Sequence, residues 1–260
     1  MKKTNLEITT YIGCKVLCKY CPQGKLIKAY KSNKKLMTFD DFKKILENVD
    51  NKKTRLIFAG FSEIFLNKYA VDMLIYAYKK GFETDVYTTT VGLTKNKIMK
   101  LAKENVKLRF VAFHVFDSKV NPINDSFYKK ADLFKNNITV KAVKLIKVTD
   151  VFSRAGTLFK VNKSKEKIFC LRNFVYQNVV LPNGDLVLCC HDYLLRHKLG
   201  NLFLQHYSGK DIAKKREEIL NLMQDKNSEI ACRYCDNGKN IKYKKQQTFD
   251  LNRNLFKVEK

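Results

Sequence analysis

The chain has 260 residues, 45% of them hydrophobic, enough for one large globular domain or a domain with a small appendage. Its 51 Lys and Arg against 25 Asp and Glu give a net charge of +26, which fits an anionic substrate or partner, or a lysine-rich composition alone. No stretch approaches the roughly 18 apolar residues of a membrane span, and Met1-Lys2-Lys3 leads into Thr4, Asn5 and Glu7 and not into the apolar run of a secretory signal. A cytoplasmic protein without membrane contact is expected, in which clustered cysteines mean metal or redox chemistry.

Residues 6–11 alternate and are β-rich, a first strand. A loop with three cysteines follows it, then a basic, irregular stretch over 24–37. Thr38 reads as a helix N-cap with Asp41 three residues on, and Phe39, Phe42, Ile45, Leu46 and Val49 share one face of a helix over 39–49. Strands over 55–60, 83–90, 107–115 and 138–148 alternate with helices over 68–80, 95–104 and 122–135. That alternation implies parallel βα units. The fold class is α/β: an open, partial barrel of about five parallel strands over residues 1–150.

The pattern changes after residue 150. Two short strands over 174–181 and 186–190 flank Pro182-Asn183-Gly184-Asp185, a strong hairpin signal. An amphipathic helix spans about 211–224. Residues 151–240 read as a small hairpin-and-helix domain, and 241–260 as a polar, basic tail.

The eight cysteines are grouped. Cys14, Cys18 and Cys21 stand in a Cys-x3-Cys-x2-Cys spacing at the C-terminal end of the first strand, where α/β folds place their chemistry. Three thiolates with no fourth Cys or His nearby suit a [4Fe–4S] cluster with one open iron, whereas structural zinc wants four protein ligands. A second group, Cys170, Cys189, Cys232 and Cys235, supplies four thiolates, for which zinc competes with a cluster on spacing alone.

The first motif, with Tyr20 before its third cysteine, resembles the radical S-adenosylmethionine (SAM) superfamily. The resemblance implies that SAM binds the open iron and that the chain needs a reducing partner such as flavodoxin or ferredoxin. It implies that Tyr20 contacts adenine. Gly60-Phe61-Ser62-Glu63 looks like the family's Gly-Gly-Glu-Pro segment, with Gly60 and Glu63 matching in type; a carboxylate there can accept from an ammonium group. Thr88, Thr89 and Thr90 stand where the family carries ribose contacts, though threonine is also a good strand residue. His114, Asp117 and Ser118 end the fourth strand near the same mouth; His114 is a candidate substrate contact or a core histidine. Arg154, in Ser-Arg-Ala-Gly past the fifth strand, is a candidate for holding a substrate hydroxyl, carboxylate or phosphate through its planar fork.

The second group, Cys170-x13-Gly184-x4-Cys189 followed by Cys232-x2-Cys235, looks like the twitch form of the SPASM domain, which holds one auxiliary [4Fe–4S] cluster. Cys190-His191-Asp192 and Leu199-Gly200-Asn201 resemble runs of that domain. Cys190 is left unassigned, and His197 and His206 are expected on the surface. The architecture resembles that of the aminocyclitol dehydrogenase of butirosin biosynthesis, so oxidation of a small sugar- or cyclitol-like alcohol is expected, with the auxiliary cluster as electron acceptor. Peptide modification and epimerisation are the alternatives within the family. A basic metal-binding protein acting on RNA is the alternative outside it, disfavoured by the scattered charge.

Overall fold

The computed structural model describes residues 3–16, 18, 20–115, 126–147 and 151–240. Asp117, Ser118 and the 241–260 tail lie outside the described residues. Strands β1 (Thr4–Ile8), β2 (Thr54–Phe58), β3 (Thr84–Thr88), β4 (Lys107–Val115) and β5 (Thr139–Lys147) alternate with helices α1 (Gln23–Ala29), α2 (Phe39–Glu47), α3 (Ala70–Lys79), α4 (Lys95–Lys103) and α5 (Ser126–Asn137). The C-terminal part adds β6 (Ile168–Cys170), β7 (Gln177–Val180), β8 (Asp185–Val187), β9 (Lys198–Asn201), α6 (Lys210–Gln224) and β10 (Gly238–Asn240).

The main sheet has the order β5-β4-β3-β2-β1-β7-β8-β9. β1 to β5 are parallel to their neighbours. β7 then pairs in parallel with β1, from Asn5 opposite Gln177 to Ile8 opposite Val180. It supplies a sixth parallel strand beyond the five expected. β8 and β9 continue the same sheet antiparallel. With β5 and β9 at opposite edges, the mostly parallel α/β sheet is open. β6 and β10 form a separate antiparallel pair.

Period-two alternation explains the two faces. Leu6, Ile8, Leu56, Phe58, Val86 and Val111 are all completely buried in the core beneath the helices. Burying each such side chain stabilises the fold by about 1.5–3 kcal/mol. Their neighbours Glu7, Ile57, Tyr87 and His114 share the other, inward face by register.

The helix signals act as read. Thr38 Oγ1 accepts from Asp41 N at 3.2 Å while Asp41 Oδ2 accepts from Thr38 N at 2.9 Å, a reciprocal capping box for α2. Gly81, at φ +77, follows α3 in the left-handed region that ends helices. Gly184 (φ +81) makes the turn between β7 and β8, and Asn201 Nδ2 staples that turn through Asn183 O at 3.0 Å and Asp185 Oδ1 at 2.9 Å.

Three expectations need correction. Residues 24–37 are not wholly irregular, because α1 runs over Gln23–Ala29, with Leu26 and Tyr30 packed against Ile12 and Phe61. The first strand of the C-terminal hairpin starts later than residue 174, since Phe174–Tyr176 is a 3₁₀ turn. His197 is not a free surface residue: its Nε2 accepts from Ala231 N at 3.1 Å, fixing the start of the turn that carries Cys232. His206 is exposed, as expected.

Candidate active site

A cavity of about 440 Å³ opens at the C-terminal ends of the parallel strands. Its wall includes Cys14, Cys18 and Cys21 from the loop after β1, Gly60 and Glu63 from the loop after β2, and Thr88 and Thr89 from the end of β3. Tyr20, His114 and Arg154 complete the set expected from sequence. Thr90 stands apart. It does not line the cavity but is fully buried at φ +62, donating its amide to Thr88 Oγ1 at 2.9 Å.

Glu63 ties two of these segments together. Its Oε1 accepts from Thr88 Oγ1 (2.7 Å) and Phe65 N (3.2 Å), and its Oε2 from Thr89 N (2.6 Å) and Thr89 Oγ1 (2.7 Å). All four lone-pair sites are used. Burial pushes its pKa up, opposed by the Thr89 and Thr88 bonds. Gly60 is required by space as well as by φ +70: a Cβ there would lie 2.2 Å from Thr9 Oγ1, the acceptor for Phe61 N at 3.1 Å.

The same wall carries polar residues that the sequence reading did not select. Glu7 is 3% exposed. It accepts a hydrogen bond from Gln177 Nε2, with the Cys190 thiol and the Gly60 amide as polar neighbours. Burial raises its pKa, while these neighbours and the Arg154 charge act the other way. Its signal was available: a carboxylate in Leu6-Glu7-Ile8 is out of place on a buried strand unless the fold has a use for it. Tyr87, whose hydroxyl burial pushes up to about 12, and His114, pushed down to about 4 by burial and by Arg154, are neutral neighbours at pH 7.

Arg154 enters from a left-handed turn in which Arg154, Ala155 and Gly156 have φ of +52, +53 and +74. Two non-glycine residues in that region cost roughly 1–2 kcal/mol each. The turn is held on several sides: Ser153 N and Oγ donate to Asp236 Oδ2 at 2.5 and 2.6 Å, Arg196 Nη2 donates to Ala155 O at 3.0 Å, and Lys25 Nζ donates to Thr157 O. Burial opposes the Arg154 charge, but Tyr193, Cys190, Cys21 and Glu7 hold its pKa above the ordinary value. It stacks over Tyr193, 5.8 Å from the ring centroid, and Tyr193 Oη contacts Cys21 Sγ at 3.5 Å.

The donor set fits a cluster with a polar ligand beside it. All eight cysteines are free of disulfides. Burial raises the pKa of Cys14 and of Cys21, and each also feels the charge of Cys18. Among the described residues no three His, Cys, Asp or Glu groups converge to single-ion spacing; a cubane, larger than one ion, is met by sulfurs standing further apart. Gln23 Oε1, Ser62 Oγ and Arg154 Nε are buried on this wall without a partner, three polar atoms placed for a ligand.

The second cysteine group is assembled by the C-terminal elements. Cys170 ends β6, opposite Gly238 of β10, and Cys232 lies in the 3₁₀ turn Ala231–Tyr234, with Cys235 its C-cap. Cys189 follows β8, which the β7 pairing anchors to the main sheet. Cys232, pushed up to about 12 by burial, also feels Cys235 and Cys170, and Cys189, raised well above a normal thiol by burial, feels Cys190 and Cys232. Cys189, Cys232 and Cys235, whose thiols burial holds toward the neutral form, stand with Cys170 as a donor set suited to a metal group able to stabilise thiolates. Gly238 has no room for a side chain, because a Cβ would sit 2.2 Å from Cys232 O.

The sequence matches no protein-family profile and no curated protein. Solved structures do match the fold. BtrN in complex with AdoMet and 2-DOIA superposes with a TM-score of 0.63 at 17% identity, over 93% of this chain and 95% of that one. anSMEcpe with bound AdoMet gives 0.58 at 14%, over 90% and 88%. Streptococcus suis SuiB bound to its precursor peptide SuiA gives 0.53 at 12%, over 90% and 70%. The fold of this chain is the open α/β barrel of the radical SAM enzymes, as the Cys14–Cys18–Cys21 motif led us to expect.

Proposed function

We propose that the chain is a radical SAM enzyme that oxidises a small polyhydroxylated or amino-substituted alcohol. The observation that carries this reading is one cavity whose wall joins Cys14, Cys18 and Cys21 to Gly60, Glu63, Thr88 and Thr89 and also to Glu7, Arg154, Gln177 and His114. SAM bound at a [4Fe–4S] cluster supplies a 5′-deoxyadenosyl radical able to remove a carbon-bound hydrogen. Cys14, Cys18 and Cys21 would hold that cluster, with Tyr20, Gly60, Glu63, Thr88 and Thr89 around the nucleoside and the methionine end.

The remaining wall sets the substrate. Arg154 presents a permanent positive charge and an unpartnered Nε to a hydroxyl or anionic group. Glu7 offers a carboxylate to a hydroxyl or ammonium group and can take the hydroxyl proton when a carbinol becomes a carbonyl, since burial has raised its proton affinity. Neutral His114 donates or accepts without adding charge. A cavity of about 440 Å³ suits a nucleoside cofactor with a small molecule better than it suits a folded peptide. Cys170, Cys189, Cys232 and Cys235 would hold an auxiliary [4Fe–4S] cluster, which in an oxidation accepts the second electron.

The test is a panel of carbon-deuterated cyclitols and amino sugars incubated anaerobically with reconstituted enzyme, SAM and dithionite. Deuterium recovered in 5′-deoxyadenosine together with a ketone product supports the reading. Deuterium transfer only from a peptide panel contradicts it.

A further inference from the structure

Side chains from two distant parts of the chain approach Cys21. Tyr193 Oη stands 3.5 Å from Cys21 Sγ, across 172 positions of sequence. Gln23 Nε2 stands 3.8 Å from the same sulfur and donates to Phe61 O at 2.7 Å. A carbonyl only accepts, so the Phe61 bond fixes which end of the Gln23 amide carries the hydrogens, and that end faces Cys21. Both residues are buried, and both line the cavity beside Cys21.

The Tyr193 hydroxyl is held in place by what surrounds its ring. The ring packs against Phe61 at 4.6 Å between centroids, and the Arg154 guanidinium lies over it at 5.8 Å. Phe61 is itself fixed by its amide, which donates to Thr9 Oγ1 at 3.1 Å. The turn behind Tyr193 is closed by its neighbour: Asp192 Oδ1 accepts from Arg196 N at 3.1 Å and Asp192 Oδ2 from His197 N at 2.8 Å. Tyr193 follows Cys189 by four residues, so the segment that brings a thiol to the second cysteine group brings a hydroxyl to the first.

A cysteine that holds iron is a thiolate and has no proton to give. The phenol O–H and the amide N–H then donate, and the sulfur accepts. Reduction adds negative charge to a cluster, and part of that charge falls on the sulfurs. A donor aimed at a sulfur therefore favours the reduced form, and hydrogen bonds to the sulfurs are among the levers that set such potentials. We infer that Tyr193 and Gln23 are positioning residues that donate hydrogen bonds to the Cys21 sulfur and raise the reduction potential of the first cluster. The inference rests on the radical SAM reading, which puts that cluster on Cys14, Cys18 and Cys21. In the step concerned the cluster gains one electron and a low-potential reductant, dithionite in the test, loses it; no bond forms or breaks at the cluster.

The test is an EPR-monitored redox titration of the anaerobically reconstituted full chain, run without SAM; the first cluster is the one whose signal changes when SAM is then added. Tyr193→Phe removes the hydroxyl and keeps the ring. At equal iron content its first cluster should have an equilibrium constant for reduction about tenfold lower than that of wild type, which at one electron is a midpoint about 59 mV more negative. Gln23→Met removes the amide and keeps the length, and should move the midpoint in the same direction by a smaller factor, its contact being longer. Tyr87→Phe takes a different hydroxyl from the same cavity wall and should leave the midpoint unmoved. An unchanged midpoint in Tyr193→Phe with the cluster retained overturns the inference, as does an equal shift in Tyr87→Phe. If Tyr193→Phe fails to take up iron, Gln23→Met decides, and an unchanged midpoint there overturns the inference. A wild type with no EPR signal that responds to SAM defeats the radical SAM reading itself, a result distinguishable from an unchanged midpoint.

Discussion

Glu63 and Gly60 carry the loop after β2 by different means. Glu63 collects two backbone amides and two hydroxyls. In Glu63→Gln the new amide group must face one of those N–H donors, leaving it unpaired in a buried place. We expect about 1–3 kcal/mol of lost stability in denaturant unfolding, with weaker SAM binding. Gly60→Ala drives a methyl group to 2.2 Å from Thr9 Oγ1 at a φ of +70 and should cost about 2 kcal/mol or more by the same assay. His114 gives a pH signature. Its folded pKa of about 4 lies below the ordinary 6.5, so between those values the unfolded chain binds a proton that the native chain refuses. The stability present above pH 6.5 is lost as pH falls toward 4, by about 3 kcal/mol at full extent. His114→Asn should flatten that slope relative to wild type, and an unchanged slope would mean that His114 is protonated in the native state.

The elements differ in how openly the sequence announces them. α2 is legible because its cap and its apolar stripe agree; Thr38→Ala removes one arm of the capping box and should lower stability by about 1 kcal/mol, read as a shifted urea midpoint. The parallel strands are legible because each is a β-rich, mostly alternating run between helical stripes. α1 was hidden because it is seven residues long, with only Gln23 and Leu26 buried, too little for a periodicity to show. β6 and β10, of three residues each, are hidden for the same reason. The turn that presents Arg154 was hidden more deeply. Only Gly156 of its three left-handed residues is of a type that announces that conformation, while Arg154 and Ala155 are forced into it by Asp236, Arg196 and Lys25. Ala155→Gly should therefore relieve strain and raise the thermal midpoint, by up to about 1 kcal/mol in stability. A lowered midpoint would show that the Ala155 methyl contributes more by packing than its backbone costs.

In the whole molecule, the pairing of β7 with β1 is what brings the C-terminal segment to the cavity: it sets Gln177 against Glu7 and carries the hairpin that leads to Cys189 and Cys190, with Cys190 on the cavity wall. The cysteine spacings were legible as two groups, and Gly60, Glu63, Thr88 and Thr89 as candidates near one of them. That Glu7, Tyr87, Gln177 and Tyr193 face the same space depends on strands far apart in sequence, which no local pattern encodes. The two groups should also separate experimentally: Cys232→Ala should lose about half the iron yet keep some SAM cleavage, whereas Cys14→Ala should abolish cleavage. The most direct test of the central claim is the iron, sulfide and zinc content of the anaerobically reconstituted chain, with 5′-deoxyadenosine assayed after adding SAM and dithionite. We predict about eight irons per chain, no zinc, and 5′-deoxyadenosine formed. A chain that takes up zinc without iron, and forms no 5′-deoxyadenosine, would contradict the account.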